Sequence, residues 1–370
     1  MRTRYWLPVG FAITVAGVTT LLARAITRVT PTRRREELLA VDQNKITFAS
    51  THTTRLPGRY AVIDPDSGAH AQLGAVIHDD GKRVTRELEN TTGRFTPGPV
   101  RWSGVYHSTP GQVGQHRTVE IAATSGILDG WIFNERAKSS TWAVHIHGQG
   151  ATLHSALRGV PACTRAGLTS LVAPYYGDRR AAADPHRTTF GALEGRDVHA
   201  GIEFARRAGA SHVVLVGWSL GAHVALGLAQ ATNLPVRALV LIDPPLDWRG
   251  VLEHYRRRGR FIPRPLFAAA LALIQAPILH RAAGIPVPVP LHRNYLDLPM
   301  ETSIPVLAIT SDGDRDVPTM QLEHFARLNT SVRVERFPHV PHTMEWNRDA
   351  ERWDSIVAEF CVSHSRPVAD

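Results

Sequence analysis

The sequence predicts an α/β protein: a mostly parallel, doubly wound sheet with an inserted cap and an N-terminal β-rich extension. Three observations predict it. From about Trp142 to the end of the chain, short continuous apolar runs alternate with stretches of helical periodicity. Strands that are apolar on both faces belong to a parallel sheet with helices on either side. At residues 217–221 one such run stops in Gly-Trp-Ser-Leu-Gly, and an Ala/Leu-rich helical stretch follows at once. Between about 245 and 300 the alternation lapses for longer than an ordinary connection, and the segment carries an apolar helix of its own. A chain of 370 residues can hold one large domain with appendages.

Residues 1–35 form the first unit. Tyr5 to Ala23 is an uncharged, largely apolar stretch with Tyr-Trp at one end and arginines on both sides, and about 20 residues suffice to cross hydrocarbon. As a signal peptide it would be cleaved after the small-x-small run Ala23-Arg24-Ala25, and the protein would be secreted. The apolar stretch exceeds the usual ~7–15 residues of a signal core, and the arginines behind it favour a retained single-pass anchor. The expected localisation is therefore a membrane, reached through residues 5–23. The arginine excess after the segment favours a cytoplasmic body without deciding the sidedness.

Residues 36–117 form the second unit. Glu36 to Val41 has a short helical pattern, and the polar, Thr-rich run to residue 57 reads as a stalk. Tyr60-Ala61-Val62-Ile63 and Leu73-Gly74-Ala75-Val76-Ile77 then read as strands between Asp-Pro, Asp-Gly and Pro-Gly turns. Tyr106 and His107 read as packing or surface residues.

Residues 118–370 form the third unit, with the cap at about 245–300. Val119–Ala123 and Leu128–Phe133 make a hairpin, and the strand Trp142–His147 runs into His147-Gly148-Gln149-Gly150. Strands follow at 168–174, 213–216 and 236–243, with helices at 190–209 and 220–231. After the cap, whose apolar Leu266–Ile278 reads as a lid helix, come a strand at 304–310, a helix at 319–328, a strand at 332–337 and a helix at 348–361.

Charge and cysteines exclude several functions. The chain carries a net +9, but seven arginines and no acidic residue lie in the first 35 positions, so the rest is close to neutral. No basic helix or aromatic-basic stripe points to nucleic acid. Cys163 and Cys361 match no metal or redox spacing and read as buried thiols. No phosphate loop or metal cluster is present, so neither a cofactor nor a metal is expected.

The chemistry gathers at the strand ends. Ser219 sits on a strand-turn-helix junction between Gly217 and Gly221, whose lack of Cβ lets neighbouring chain pass, and it reads as a nucleophile. A serine hydroxyl needs a base, and the base needs a carboxylate to hold its tautomer. After the strand ending at Thr310, Asp314 is the best placed acid, with Asp316 behind it and Asp243 a weaker alternative. Asp312 and Asp316 read as turn and capping residues. After the strand ending at Phe337, His342 is preferred to His339 as the base. The backbone N–H of Leu220 and of Gln149 would form an oxyanion hole. His147 reads as a loop brace.

Taken together, His147-Gly148-Gln149-Gly150, Gly217-Trp218-Ser219-Leu220-Gly221, Asp314 ahead of Val317-Pro318, and His342 resemble the α/β-hydrolase superfamily over residues 118–362, in its bacterial serine-peptidase-like and esterase/lysophospholipase-like branches. Leu193–Val198 and Ala205–Ala210 look similar to the helix ahead of the nucleophile strand in membrane-anchored bacterial members. The resemblance implies the α/β-hydrolase fold and a Ser219-His342-Asp314 triad that hydrolyses carboxylic esters through an acyl-enzyme. Epoxide or haloalkane opening is disfavoured, because those branches place an aspartate where this chain has Ser219. The implied substrate is a small, largely apolar ester or amide. Amide or peptide hydrolysis by the same mechanism, and a non-catalytic binding protein on the same fold, are the alternatives.

Overall fold

The computed structural model describes residues 6–29, 34–178, 187–230, 233–259, 262–297 and 304–365, with side chains in the first helix from Thr14 onward. Arg2, Arg4, Tyr5, Arg33, Ala231 and the end of the expected cap at 298–300 lie outside the described residues. Helix α1 spans Trp6–Thr27. Among the described residues no helix is long and apolar enough to cross a membrane, which overturns the anchor expected over residues 5–23 and the membrane localisation drawn from it. The described part of α1 docks on the protein instead. Thr19, Ala23 and Thr27 are buried, Arg24 Nε donates to the Ala282 carbonyl at 2.8 Å, and Arg28 bridges to Arg187. A helix that packs on one face and a helix that spans hydrocarbon can both read as a long apolar run, so composition alone did not separate them.

Six strands then close into a barrel in the order β1-β2-β5-β4-β3-β6. They are β1 (Arg35–Asp42), β2 (Lys45–Ala49), β3 (Tyr60–Ile63), β4 (His70–Asp79), β5 (Arg83–Thr91) and β6 (Gly98–Ser103). Two expectations change here. Glu36–Val41 is strand, not helix, and the segment to residue 57 is not a stalk: it holds the wall strand β2 and then a turn whose Thr54 and Leu56 carbonyls bond Arg86. Glu-Glu-Leu-Leu-Ala favours helix locally, but β1 gains a ladder on both edges, pairing with β2 and with β6 at Leu38↔Gly98 to Arg35↔Arg101. Leu38, Ile46, Phe48, Tyr60, Val62 and Trp102 fill the interior around Arg86. Burial pulls the Arg86 pKa down to about 10. Its guanidinium donates to the carbonyls of Thr54, Leu56, Gly58 and Gly74 and lies 5.5 Å from the Tyr60 and Trp102 ring centroids.

The second sheet has eight strands in the order β14-β13-β12-β11-β9-β10-β8-β7. The hairpin β7 (His116–Ala123) and β8 (Gly126–Phe133) is antiparallel, and β8 also runs antiparallel to β10 (Thr169–Val172). From β10 onward the pairing is parallel through β9 (Thr141–Ile146), β11 (His212–Trp218), β12 (Val236–Ile242), β13 (Val306–Ser311) and β14 (Val332–Phe337). Alternate residues of each central strand enter different cores. Val144, Leu215, Leu239 and Ala308 pack on one face, with Val198, Ile202 and Leu226. Ala143, Val216, Val240 and Ile309 pack on the other, with Cys163, Trp353 and Cys361. The helices are α2 (Leu153–Ala156), α3 (Val160–Arg165), α4 (Ala192–Arg207) and α5 (Leu220–Ala229), then α8 (Thr319–Leu328), α9 (Glu345–Arg348) and α10 (Ala350–Ser365). Between β12 and β13 the chain adds α6 (Trp248–Arg258), α7 (Arg264–Gln275) and a tight helical turn at Leu279–Ala283, on which α1 packs.

Candidate active site

The site lies at the carboxyl ends of the parallel strands, where the loops after β9, β11, β12, β13 and β14 meet. Ser219 stands between β11 and α5 at φ 52 and ψ −115, a sparsely populated conformation that surrounding structure must enforce. The flanking glycines allow it. A Cβ on Gly217 would lie 2.4 Å from the Gly221 carbonyl oxygen, and one on Gly221 would lie 2.2 Å from that of Ile146. Ser219 N donates to the Ile242 carbonyl at 2.8 Å, which locks the turn to β12.

His342 Nε2 is 2.8 Å from Ser219 Oγ, and its Nδ1 is 2.8 Å from Asp314 Oδ2. Asp314 Oδ1 accepts from the amides of Asp316 and Val317 at 2.7 and 3.1 Å, which fixes the carboxylate. The structure thus brings Ser219, His342 and Asp314 together. His339 is exposed, Asp312 pairs with Arg336 at 3.2 Å, and the Asp316 side chain lies by Tyr255.

Asp243, at the end of β12, adds a second carboxylate. Its Oδ2 is 3.4 Å from His342 Nδ1 and accepts from Thr343 N at 2.7 Å. Ser219, Asp243 and Thr343 all hold positive φ, so backbone strain is concentrated where the three loops touch. Burial works against a charged His342, but Asp314 and Asp243 outweigh it and hold the imidazole pKa well above its usual value. Burial also raises Asp314, while Asp243 is lowered because its contacts with His342, Glu345 and the Thr343 amide overcome its own burial. Glu345 is fully buried beside Asp243. Burial and the Asp243 charge push its pKa well above the ordinary carboxylate range. Asp243 Oδ1 and both Glu345 oxygens have no donor among the described residues, and a proton held by Glu345 would pair the two carboxyls. Asp243, Asp314 and His342 stand close enough to ligate a cation, but the Nδ1 such an ion would take is the atom facing both carboxylates.

Gln149 and Leu220 line one cavity of about 700 Å³. Its wall includes Leu128, Trp131, Leu153 and Tyr176. Gly148 lies against the nucleophile turn, where a Cβ would come within 3.3 Å of Ser219 Cβ. The loop carrying Gln149 is braced from below. The Tyr175 hydroxyl donates to the carbonyls of His147 and Gly148 at 3.0 and 2.9 Å, its ring stacks on His147 at 3.9 Å, and His147 Nε2 meets Asp178 Oδ2 at 3.1 Å. Sequence reasoning missed Tyr175, Asp178 and Glu345. The one available signal was that 175–178 directly follow the carboxyl end of a strand.

The barrel meets the His342 loop through Met344, which packs on the barrel core, and through a hydrogen-bonded joint at Asn347. Arg59 N donates to the Asn347 carbonyl at 2.6 Å, and Asn347 Nδ2 donates to the carbonyls of Arg59 and Gly104 at 2.7 and 3.1 Å. Buried Arg158 donates to Asn347 Oδ1 and, at 2.9 Å, to the carbonyl of Thr343, the residue after His342.

A family model described as "Alpha/beta hydrolase family" matches residues 143–357. A second, described as a domain of unknown function (DUF8805), matches residues 37–103, the barrel. No curated protein matches the chain. Among solved structures, the esterase Pf2001 of Pyrococcus furiosus has a TM-score of 0.53 at 18% identity, covering 70% of this chain and 97% of its own. Est1E of Butyrivibrio proteoclasticus, solved with ferulic acid bound, has a TM-score of 0.51 at 15% identity, covering 66% and 98%. At such identities the likeness is one of fold.

Proposed function

The chain belongs to the alpha/beta hydrolase family, and from that premise we propose that it hydrolyses carboxylic esters of small molecules through an acyl-enzyme on Ser219. The observation that carries this reading is the continuous hydrogen-bond path from Ser219 Oγ through His342 to Asp314. Ser219 Oγ attacks the ester carbonyl while its proton passes to His342 Nε2. Asp314 holds Nδ1–H and stabilises the imidazolium that forms. The N–H groups of Leu220 and Gln149 receive the negative charge on the former carbonyl oxygen. Collapse of the tetrahedral adduct breaks the C–O bond, and His342 returns its proton to the departing alcohol. Water then repeats the sequence on the acyl-serine, releasing the acid and restoring Ser219. The largely apolar wall of the 700 Å³ cavity beside Gln149 and Leu220 suits an apolar acyl or alcohol group.

The test is labelling of the full-length protein with a fluorophosphonate, with Ser219→Ala as control, followed by p-nitrophenyl esters of rising chain length. Labelling lost in the variant, with an optimum in chain length, is expected. A folded protein that neither labels nor turns over any ester overturns the proposal.

A further inference from the structure

A second cavity, of about 410 Å³, lies where the cap covers α4 and α5, and it shares no lining residue with the one at Gln149 and Leu220. Its charged lining has one sign. The charge comes from Arg196 on α4 and Arg293 in the cap; His199 also lines it, and among the described residues no Asp or Glu does. Neither arginine side chain has an ion pair or hydrogen bond among the described residues, whereas thirteen other described side chains of Arg or His form ion pairs elsewhere in the molecule.

The floor of this cavity supplies an independent sign of a ligand. His223 and Tyr295 are 2% and 5% exposed, and their rings pack 4.8 Å apart. His223 Nδ1 donates to the Pro245 carbonyl at 2.9 Å, so Nε2 is left as an acceptor with no partner among the described residues. The Tyr295 hydroxyl likewise has none. Both side chains line the cavity, so a ligand held there can supply the partner that each atom lacks within the protein. Gly227 keeps the Tyr295 hydroxyl free, since a Cβ there would lie 2.6 Å from its oxygen. Burial and then the Arg293 charge lower the His223 pKa to about 4, so the ring stays neutral and the guanidinium field reaches the floor. Val224, Leu228, Leu234 and Val287 make the remaining wall apolar.

We propose that this cavity binds a small organic anion, a carboxylate or phosphate monoester on a short body. Its oxygens lie between Arg196 and Arg293 and accept from the Tyr295 hydroxyl, and a hydroxyl on the body donates to His223 Nε2. Such a ligand would touch the cap and α5, the helix that follows Ser219, together, and so tie one to the other. The inference does not depend on the reaction assigned to Ser219.

Isothermal titration calorimetry of the full-length protein tests it, with butyrate, 3-hydroxybutyrate, glycerol phosphate and inorganic phosphate as probes. The expected result is saturable one-to-one binding of at least one organic probe, tighter for 3-hydroxybutyrate than for butyrate if the carboxylate arm holds. Arg196→Ala with Arg293→Ala should weaken it on the order of tenfold or more. Leu234→Trp, which fills the cavity without removing charge, should abolish it, while ester turnover, or the circular dichroism spectrum, shows that both variants fold. Binding of the carboxylates alone or of glycerol phosphate alone supports the proposal and identifies the source of the oxyanion. No saturable binding, binding of inorganic phosphate only, or binding that survives both variants overturns it.

Discussion

The barrel and the parallel sheet bury their interiors in opposite ways. The barrel closes one sheet on itself, so each strand needs only one apolar face, and the centre that remains is taken by Arg86 and the four carbonyls it satisfies. The parallel sheet buries both faces, so its strands are apolar throughout and the polar chemistry is pushed to their ends. One region therefore holds a charge at its core for structure, and the other holds charges at its rim where substrate can meet them. They communicate through Arg59, Asn347 and Arg158, and that joint ends one residue from His342.

The sharpest separation of the two regions comes from the rim. Ser219→Ala should lower kcat/KM for a p-nitrophenyl ester by about 10⁴-fold or more and leave the stability of both regions within about 1 kcal/mol. Loss of activity together with a shifted melting curve would mean that the turn, not the hydroxyl, had been disturbed. Next in size, Asp314→Asn should cost on the order of 10²–10⁴ in kcat, because the amide cannot hold His342 in the required tautomer. His342→Ala should likewise cost far more than His339→Ala, which removes an exposed ring. An equal loss in either comparison would move the chemistry away from the Ser219-His342-Asp314 path.

The joint is broken most directly at Gly58. It holds φ +105, and a Cβ there would lie 2.0 Å from the Asn347 carbonyl oxygen. Gly58→Ala must therefore separate Arg59 from Asn347, and roughly 2–4 kcal/mol of stability is the expected loss from strain and broken buried hydrogen bonds. If the barrel steadies the His342 loop, kcat falls about tenfold at temperatures where the protein stays folded, with KM little changed. Arg86→Leu is the companion. It orphans carbonyls inside the barrel, so it should cost a similar stability but leave kcat near the wild-type value. Equal effects of both variants on kcat would show that barrel integrity matters and the joint does not.

What could be read from the sequence follows the same division. The parallel strands announce themselves locally, as valine-rich runs ending in glycine or aspartate, and Ser219, Asp314 and His342 can each be picked out as residues just past a strand end. Their mutual contact is tertiary, and so is the approach of Asp243 to His342 from a different loop. Glu345 gave no signal, because a glutamate opening a helix is ordinary until its burial beside Asp243 is known. In the barrel, Tyr60–Ile63 is legible by composition, whereas β1 is not, since its strand identity depends on partners at Gly98–Arg101. Helix α1 misled for the same reason: the residues that cover it come from the cap and from Arg187 and Thr188, far along the chain.

The smallest effect is also the most diagnostic of the rim. With His342 as the proposed base, activity requires its neutral form and should fall as pH drops through the His342 pKa, which Asp314 and Asp243 hold well above the usual histidine value against the opposing effect of burial. Asp243→Asn removes one of the two charges while its side-chain oxygen can still accept from Thr343 N. Less attraction for the imidazolium lowers the pKa, so the acid limb of kcat/KM should move to lower pH, on the order of one unit for a partly screened charge this close, with the plateau changed only a few-fold. Glu345 then faces an amide instead of a carboxylate and its own proton becomes easier to lose, which would restore some negative charge near His342. The double variant Asp243→Asn with Glu345→Gln should therefore shift the limb further than Asp243→Asn alone. A limb that stays in place or moves to higher pH in both variants would show that Asp243 and Glu345 only fill the space behind the histidine loop, and that Asp314 alone sets its charge.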